Sequence, residues 1–211
     1  MSYAYDTFGR RMAITYPNGT ELHYEYDKKN QLTEIIDGDT ITTYRYDGVG
    51  QVQEIVYGDA TKSSYTYLPT GEISESVTYQ ANGKVASKQV YAYDENGNII
   101  KEELTYPKFK LTKTYAYDDE DQLIQVTEKE KNTTRVTTYF YDNVGNRIAS
   151  ELTVNGKSKG YTEWQQNADN ELLSITGEQG ATYTYDANGT SARKHVSQGK
   201  LLLISMMPRV V

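Results

Sequence analysis

Apolar and aromatic side chains recur along this chain with a period of two residues, never of three to four. Thr40-Ile41-Thr42-Thr43-Tyr44-Arg45-Tyr46 and Arg135-Val136-Thr137-Thr138-Tyr139-Phe140-Tyr141 are typical, rich in β-branched and aromatic types. Alternation of this kind predicts half-buried β-strands, because successive side chains point to opposite faces. A Tyr-x-Tyr pair therefore shows both rings on one face. No helical periodicity runs through residues 1–189.

The strands come at a fixed interval. Copies of Tyr-x-Tyr-Asp-x-x-Gly begin at Tyr3, Tyr24, Tyr44, Tyr65, Tyr91, Tyr115 and Tyr139, a degraded copy surrounds Trp164, and a clear one begins at Tyr183. The second tyrosines are Tyr5, Tyr26, Tyr46, Tyr67, Tyr93, Tyr117, Tyr141 and Tyr185. Copies are 19 to 26 residues apart, the spacing of a stacked array rather than of one irregular domain. In most copies an aspartate ends the strand: Asp6, Asp27, Asp47, Asp94, Asp118, Asp142 and Asp186. Three residues later stand Gly9, Asn30, Gly50, Gly71, Gly97, Asp121, Gly145, Asn170 and Gly189. Only Gly, Asn and Asp occur there, the residues that enter φ > 0 at least cost, so the position predicts a left-handed turn with the preceding aspartate as its cap.

A polar residue follows, then usually an apolar one (Leu32, Val52, Ile73, Ile99, Leu123, Leu172), which opens a second strand. Midway to the next copy comes another turn, at Pro17-Asn18-Gly19, Asp37-Gly38, Gly58-Asp59, Asn82-Gly83, Tyr106-Pro107 and Asn155-Gly156. Each unit thus reads strand, turn, strand, turn. At about 4.8 Å per strand the array forms an all-β antiparallel sheet roughly 85 Å long, a curved or spiralling wall.

Composition agrees. Hydrophobic content is 37%, but 21 tyrosines against 3 phenylalanines and 1 tryptophan carry the apolar area. Aromatic and β-branched content at this level excludes disorder for the repeat region. A net charge of −7 argues against nucleic acid and anionic membrane as partners. No cysteine is present, so disulfides and thiolate metal sites are excluded. No apolar run is long enough to span a membrane, and Met1 is followed at once by a repeat rather than a signal peptide. An array that starts mid-pattern is expected to be part of a longer polypeptide.

These residues resemble the YD-repeat family, which includes the rearrangement-hotspot (Rhs) proteins. Tyr93-Asp94-Glu95-Asn96-Gly97-Asn98 and Tyr141-Asp142-Asn143-Val144-Gly145-Asn146-Arg147 lie close to the family consensus, and the resemblance covers residues 3–189. It implies a wall of a hollow β-shell. In bacterial relatives such a shell encloses a C-terminal toxin delivered to another cell; in animal teneurins a similar barrel serves adhesion. The partners so implied are the rest of the shell and an enclosed toxin, with the parent secreted or attached to the cell wall. The closing core segment with its Asp-Pro-x-Gly motif is absent from these residues, as is a toxin domain.

Other chemistry is thin. The aspartates invite a reading as calcium ligands, with Asp118-Asp119-Glu120-Asp121 the densest cluster, but one Asp-x-x-Gly run offers too few oxygens and a capping role is expected. His23 and His195 lie outside the repeat's fixed positions, no nucleophile elbow accompanies the serines, and there is no phosphate loop or zinc spacing. No catalytic, cofactor or metal residues are assigned, and an enzyme is not expected. A second reading stays open: tyrosine rows can stack on sugar rings, making an adhesion or carbohydrate-binding module. Open strand edges also predict self-association.

Residues 190–211 form a tail without repeats, ending in Leu201-Leu202-Leu203-Ile204-Ser205-Met206-Met207-Pro208. A shifted reading frame would account for it. The codons of Met206-Met207-Pro208, read one base upstream, force Asp-Ala and permit the full Tyr-x-Tyr-Asp-Ala-x-Gly-Arg repeat.

Overall fold

The computed structural model describes residues 1–169, 171–177, 180–185 and the backbone of 191–196. Every regular element among them is a β-strand, and the chain divides into two compact units, Met1–Thr112 and Lys113 onward. The first unit holds β1 (Ser2–Tyr5), β2 (Arg11–Thr15), β3 (Glu21–Tyr26), β4 (Leu32–Asp37), β5 (Thr40–Tyr46), β6 (Val52–Val56), β7 (Lys62–Tyr67), β8 (Ile73–Tyr79), β9 (Val85–Tyr93) and β10 (Ile99–Thr105). β11 (Lys110–Tyr117) crosses the boundary. The second unit continues with β12 (Leu123–Glu130), β13 (Thr133–Tyr141), β14 (Arg147–Val154), β15 (Lys157–Gln166), β16 (Leu172–Ile175), β17 (Ala181–Tyr185) and β18 (Ser191–Val196).

Within each unit every strand pairs antiparallel with its neighbours in sequence, an uninterrupted meander from β1 to β10 and from β12 to β18. Among the described residues strands touch only those neighbours, in a single layer in each unit. The core is correspondingly thin. Ile14, Val77, Leu104, Ala149 and Ala181 are buried, yet no described side chain is completely enclosed.

Registers fix the two faces. Tyr3 lies opposite Ile14, Tyr24 opposite Ile35, Tyr44 opposite Ile55, Tyr65 opposite Ser76, Tyr91 opposite Glu102 and Tyr139 opposite Ser150. Paired residues share a face, so the tyrosines form one continuous side in each unit. From Tyr24 onward the described repeat tyrosines are half-buried, while the residues between them (Glu25, Arg45, Thr66, Ala116, Phe140, Thr184) are exposed on the other side. That second face carries ion pairs across strands: Glu54 with Arg45 at 3.5 Å and Lys62 at 3.0 Å, and Lys88 with Glu75 at 2.8 Å.

One irregularity repeats. In every hairpin closed by the Tyr-Asp turn and registered here, the ladder slips just before the second tyrosine. Ala4 opposes Ala13 but Tyr5 opposes Arg11, leaving Met12 as an extra residue. Glu25/Tyr26, Arg45/Tyr46, Thr66/Tyr67, Phe140/Tyr141, Gln165/Gln166 and Thr184/Tyr185 repeat it, and opposite Tyr93 the slip leaves Ile100 extra. A bulge at this point breaks the ladder and twists the strand.

Candidate functional site: the repeated turn and its tyrosines

The turn after each second tyrosine is a three-residue hairpin connection. Asp6 N–H donates to Arg10 O at 2.9 Å and Gly9 N–H to Asp6 O at 3.0 Å, and the same pair of bonds recurs at Asp27, Asp47, Leu68, Asp94, Asp118 and Asp142. The left-handed residue is where the repeat placed it: φ is +78° at Gly9, +65° at Asn30, +99° at Gly50, +108° at Gly71, +85° at Gly97, +60° at Asp121 and +85° at Gly145. Asn170, Asp186 and Gly189 lie outside the described residues.

The aspartates cap these turns. Oδ1 of Asp142 accepts the N–H of Val144 at 3.0 Å and of Asn146 at 2.9 Å. Asp6, Asp27, Asp47, Asp94 and Asp118 take the same two bonds, and Asn167 does so in the degraded copy. The backbone and side-chain N–H groups of Asn146 hold the Asp142 carboxyl below its ordinary pKa. At Asp94 burial opposes this, but the donors of Asn98 and Asn96 prevail and its pKa is lowered as well. One oxygen of each of these aspartates is thus spent on backbone. Among the described residues no three His, Cys, Asp or Glu side chains converge on a metal-sized site.

The tyrosine hydroxyls join one hairpin to the next. Tyr26 donates to Arg11 O at 3.0 Å, Tyr46 to Leu32 O at 2.8 Å, Tyr67 to Val52 O at 2.6 Å and Tyr93 to Ile73 O at 2.8 Å. In the second unit Tyr141 donates to Leu123 O and Tyr185 to Leu172 O, both at 2.8 Å. Where the register is resolved, each acceptor is the residue opposite the previous copy's second-tyrosine position, so its carbonyl lies at the bulge. The next copy's phenol donates to this carbonyl beside the bulge. Burial, reinforced by nearby charges, pushes the pKa values of Tyr46, Tyr67 and Tyr93 up and keeps these donors protonated.

A second tie runs through the residue after the left-handed position. Gln51 Nε2 donates to Gly71 O at 3.2 Å. Arg10 bonds its own Asp6 at 2.6 Å, reaches Asn30 Oδ1 in the next turn at 2.9 Å, and stacks over Tyr26 at 4.8 Å. Glu72 and Gln122 hold the same position, each with one buried oxygen unpartnered. Shorter Asn98 and Asn146 fold back on their own aspartates at 3.2 and 3.1 Å.

The remaining candidates are ordinary in their surroundings. His23 lies on β3, opposite Ala13, and contacts Glu21 at 3.3 Å. His195 is opposite Thr182 in the backbone register of β18. Trp164 stands where the first tyrosine of a copy would, and one face of its ring is covered by the Arg147 guanidinium, which lies 4.9 Å from it and 5.2 Å from Tyr139. Tyr115 and Tyr117 occupy β11 with the alternation of the other copies. Among the described residues no helix is long and apolar enough to cross a membrane.

Sequence reading missed both ties between hairpins. The signal available was the uniformly polar residue after the turn (Arg10, Gln31, Gln51, Glu72, Asn98, Gln122, Asn146, Glu171) and the invariance of tyrosine over phenylalanine at the second position of the full copies.

Comparison with known proteins agrees with this geometry. Residues 26–62, which contain the two capped turns at Asp27 and Asp47 and the joining tyrosines Tyr26 and Tyr46, match the RHS Repeat family model. Those residues carry an RHS repeat. No curated protein matches the chain. Among solved structures, a Tc holotoxin pore of Photorhabdus luminescens aligns with TM-score 0.64 and 18% identity over 94% of this chain and 13% of its own. A TcdB2-TccC3 crystal structure gives TM-score 0.64 and 18% identity over 93% of this chain and 14% of that one. A TcdB2-TccC3-TEV crystal structure gives TM-score 0.65 over 91% and 13%. At that identity the likeness establishes a shared fold. The chain spans about one-eighth of the length of these chains.

Proposed function

We propose that this RHS-repeat chain is a non-enzymatic wall segment of a β-shell whose longer parent encloses and delivers a C-terminal toxin. The observation that carries the reading is that the repeat spends its own chemistry on the wall. Aspartates cap turns, second tyrosines satisfy bulge carbonyls, and post-turn side chains tie neighbouring turns. Few polar groups remain organised for catalysis. The alignment with a Tc holotoxin chain over nine-tenths of this chain supports the shell, and is in keeping with an exported parent. The residues of the repeat (Tyr3 through Gly189) act structurally in this reading, and 190–211 is a tail added to the array.

The test is protease protection of the parent product. The gene is expressed with its flanking DNA and the protein is digested under native conditions. A protected C-terminal fragment that becomes digestible on unfolding is the expected result. A parent with no such fragment overturns the enclosure. The carbohydrate reading is tested by titrating soluble glycans against tyrosine and tryptophan fluorescence; a wall segment gives no saturable response.

A further inference from the structure

The turn between β2 and β3 brings together a backbone nitrogen, a side-chain amide and two donors aimed at that amide's oxygen. In Pro17-Asn18-Gly19-Thr20 the Asn18 carboxamide oxygen accepts the backbone N–H of Thr20 at 3.1 Å and the Thr20 hydroxyl at 2.7 Å. Asn18, Gly19 and Thr20 are all exposed, and Gly19, at φ +85°, has nothing within 4 Å of the place a Cβ would occupy. The nitrogen of Gly19 is the next backbone atom after the Asn18 carbonyl carbon, so a bond from it to the side-chain Cγ closes a small ring.

The turn between β6 and β7 has the same backbone bonds and carries a carboxylate where Asn18 carries an amide. Asp59 Oδ1 accepts the Thr61 N–H at 2.9 Å and the Thr61 hydroxyl at 2.6 Å, both shorter than at Asn18. An ionised acceptor strengthens such bonds, and the Thr61 hydroxyl, then its N–H, hold the Asp59 carboxyl below its ordinary pKa. Asn82-Gly83 is the contrasting turn. Gly83 N–H donates to Gln80 O at 2.8 Å, as Gly19 N–H does to Tyr16 O at 2.9 Å. Residue 84 is a lysine, however, so Asn82 Oδ1 accepts its N–H at 2.9 Å and receives no hydroxyl from it.

We propose that Asn18 is a site of spontaneous deamidation, promoted by the two Thr20 donors, which converts this turn to the form seen at Asp59. Solvent base takes the Gly19 amide proton and the nitrogen attacks Asn18 Cγ. Negative charge gathers on Oδ1, where the Thr20 N–H and hydroxyl already point. The bond from Cγ to Nδ2 then breaks, and the nitrogen leaves as ammonia with a proton from water. The succinimide adds one water at either of its carbonyls, giving an aspartate or an isoaspartate at position 18. The aspartate keeps both Thr20 bonds and gains a charge, whereas isoaspartate lengthens the turn backbone by a methylene. Removing the glycine proton costs a hydrogen bond at Gly19 and at Gly83 alike, so the Thr20 hydroxyl is what separates the two sites.

Incubating the full chain in mildly alkaline buffer, with peptide mass spectrometry at intervals, tests this against Asn82 as an internal reference. Asn18 should convert faster than Asn82 by about threefold or more. Thr20→Val removes the hydroxyl and keeps the β-branch. It should slow conversion at position 18 by about two- to tenfold and leave Asn82 unchanged, while Thr20→Ser should restore the rate. Thermal melts check that both variants remain folded. In denaturing urea, where the Thr20 donors are dispersed, the two sites should converge. Equal rates at Asn18 and Asn82 in the folded chain overturn the proposal. So does a difference that survives in urea, which would assign it to local sequence. An unchanged or faster conversion in Thr20→Val overturns it too, by showing that the hydroxyl does not promote the attack.

Discussion

Tyr67→Phe isolates the bond that joins two hairpins. Its hydroxyl donates to Val52 O at 2.6 Å, while the ring contributes the same packing with or without the oxygen. Deleting the hydroxyl forfeits a net hydrogen bond of about 0.5–1.5 kcal/mol and leaves the Val52 carbonyl without this donor. A fully buried orphan acceptor would cost up to about 3 kcal/mol, but the site is half-buried and water can reach it, so the loss should be about 1 kcal/mol. For a unit of this size that lowers the melting midpoint by about 4 °C. Tyr65→Phe is the control: it removes the same atom from the same copy, at a position outside the hydroxyl-to-carbonyl ladder. Paired urea and thermal melts should show Tyr67→Phe less stable by about 1 kcal/mol and Tyr65→Phe within about 0.5 kcal/mol of the parent. If the two variants melt together, the phenol-to-bulge bond contributes nothing and the account of how repeats adhere fails.

Four further outcomes follow from the same geometry. Leu68 replaces the capping aspartate in the one described copy that lacks a side-chain cap, so Leu68→Asp should stabilise by about 0.5–1 kcal/mol in urea melts. Gly97 has φ +85° and Gly97→Val should cost about 1–3 kcal/mol, well beyond Lys84→Val one residue past a comparable turn. Lys131 adopts φ +49° in a two-residue hairpin, and Lys131→Gly should raise stability by about 0.5–1 kcal/mol. The pH profile of the melting midpoint should be a plateau with two shoulders. The lowered carboxyls of Asp6, Asp94 and Asp142 give stability that is full above about pH 4 and is lost as pH falls through their depressed values. The raised phenols of Tyr46, Tyr67, Tyr93 and Tyr141 give stability that is full below about pH 10 and is lost as pH rises through their elevated values. A midpoint that keeps rising above pH 10 would contradict the second shoulder.

Strands, turns and the left-handed positions were legible because each is a local matter. Steric preference at one residue forces Gly, Asn or Asp, and alternation over five residues names the inner face. Local rules also mark where legibility ended. Gly58-Asp59 reads as the pivot of its turn, yet the positive φ falls on Ala60, because the register of Tyr57 with Thr61 sets the loop one residue later. The Lys131-Asn132 hairpin carries no turn signature at its first position and is imposed by the long pairing of β12 with β13. Tyr106-Pro107 closes without a left-handed residue, helped by the stacking of Tyr106 on Phe109 at 4.6 Å. The joining phenols were invisible for a different reason. Their partners lie 13 to 20 residues earlier, at carbonyls beside a bulge that no side chain announces.

A hairpin that carries a donor on one side and a matching acceptor on the other is indifferent to how many like it stand in line. Deleting residues 44–64 as a block would bring Tyr65 and Tyr67 to the place of Tyr44 and Tyr46, with Leu32 O awaiting the new phenol. Unequal crossing-over at the DNA level would therefore lengthen or shorten such an array by whole hairpins without leaving a mismatched seam. Array length can then change by whole hairpins, and a stretch of a few hairpins is a part that can be copied, transplanted or lost as one.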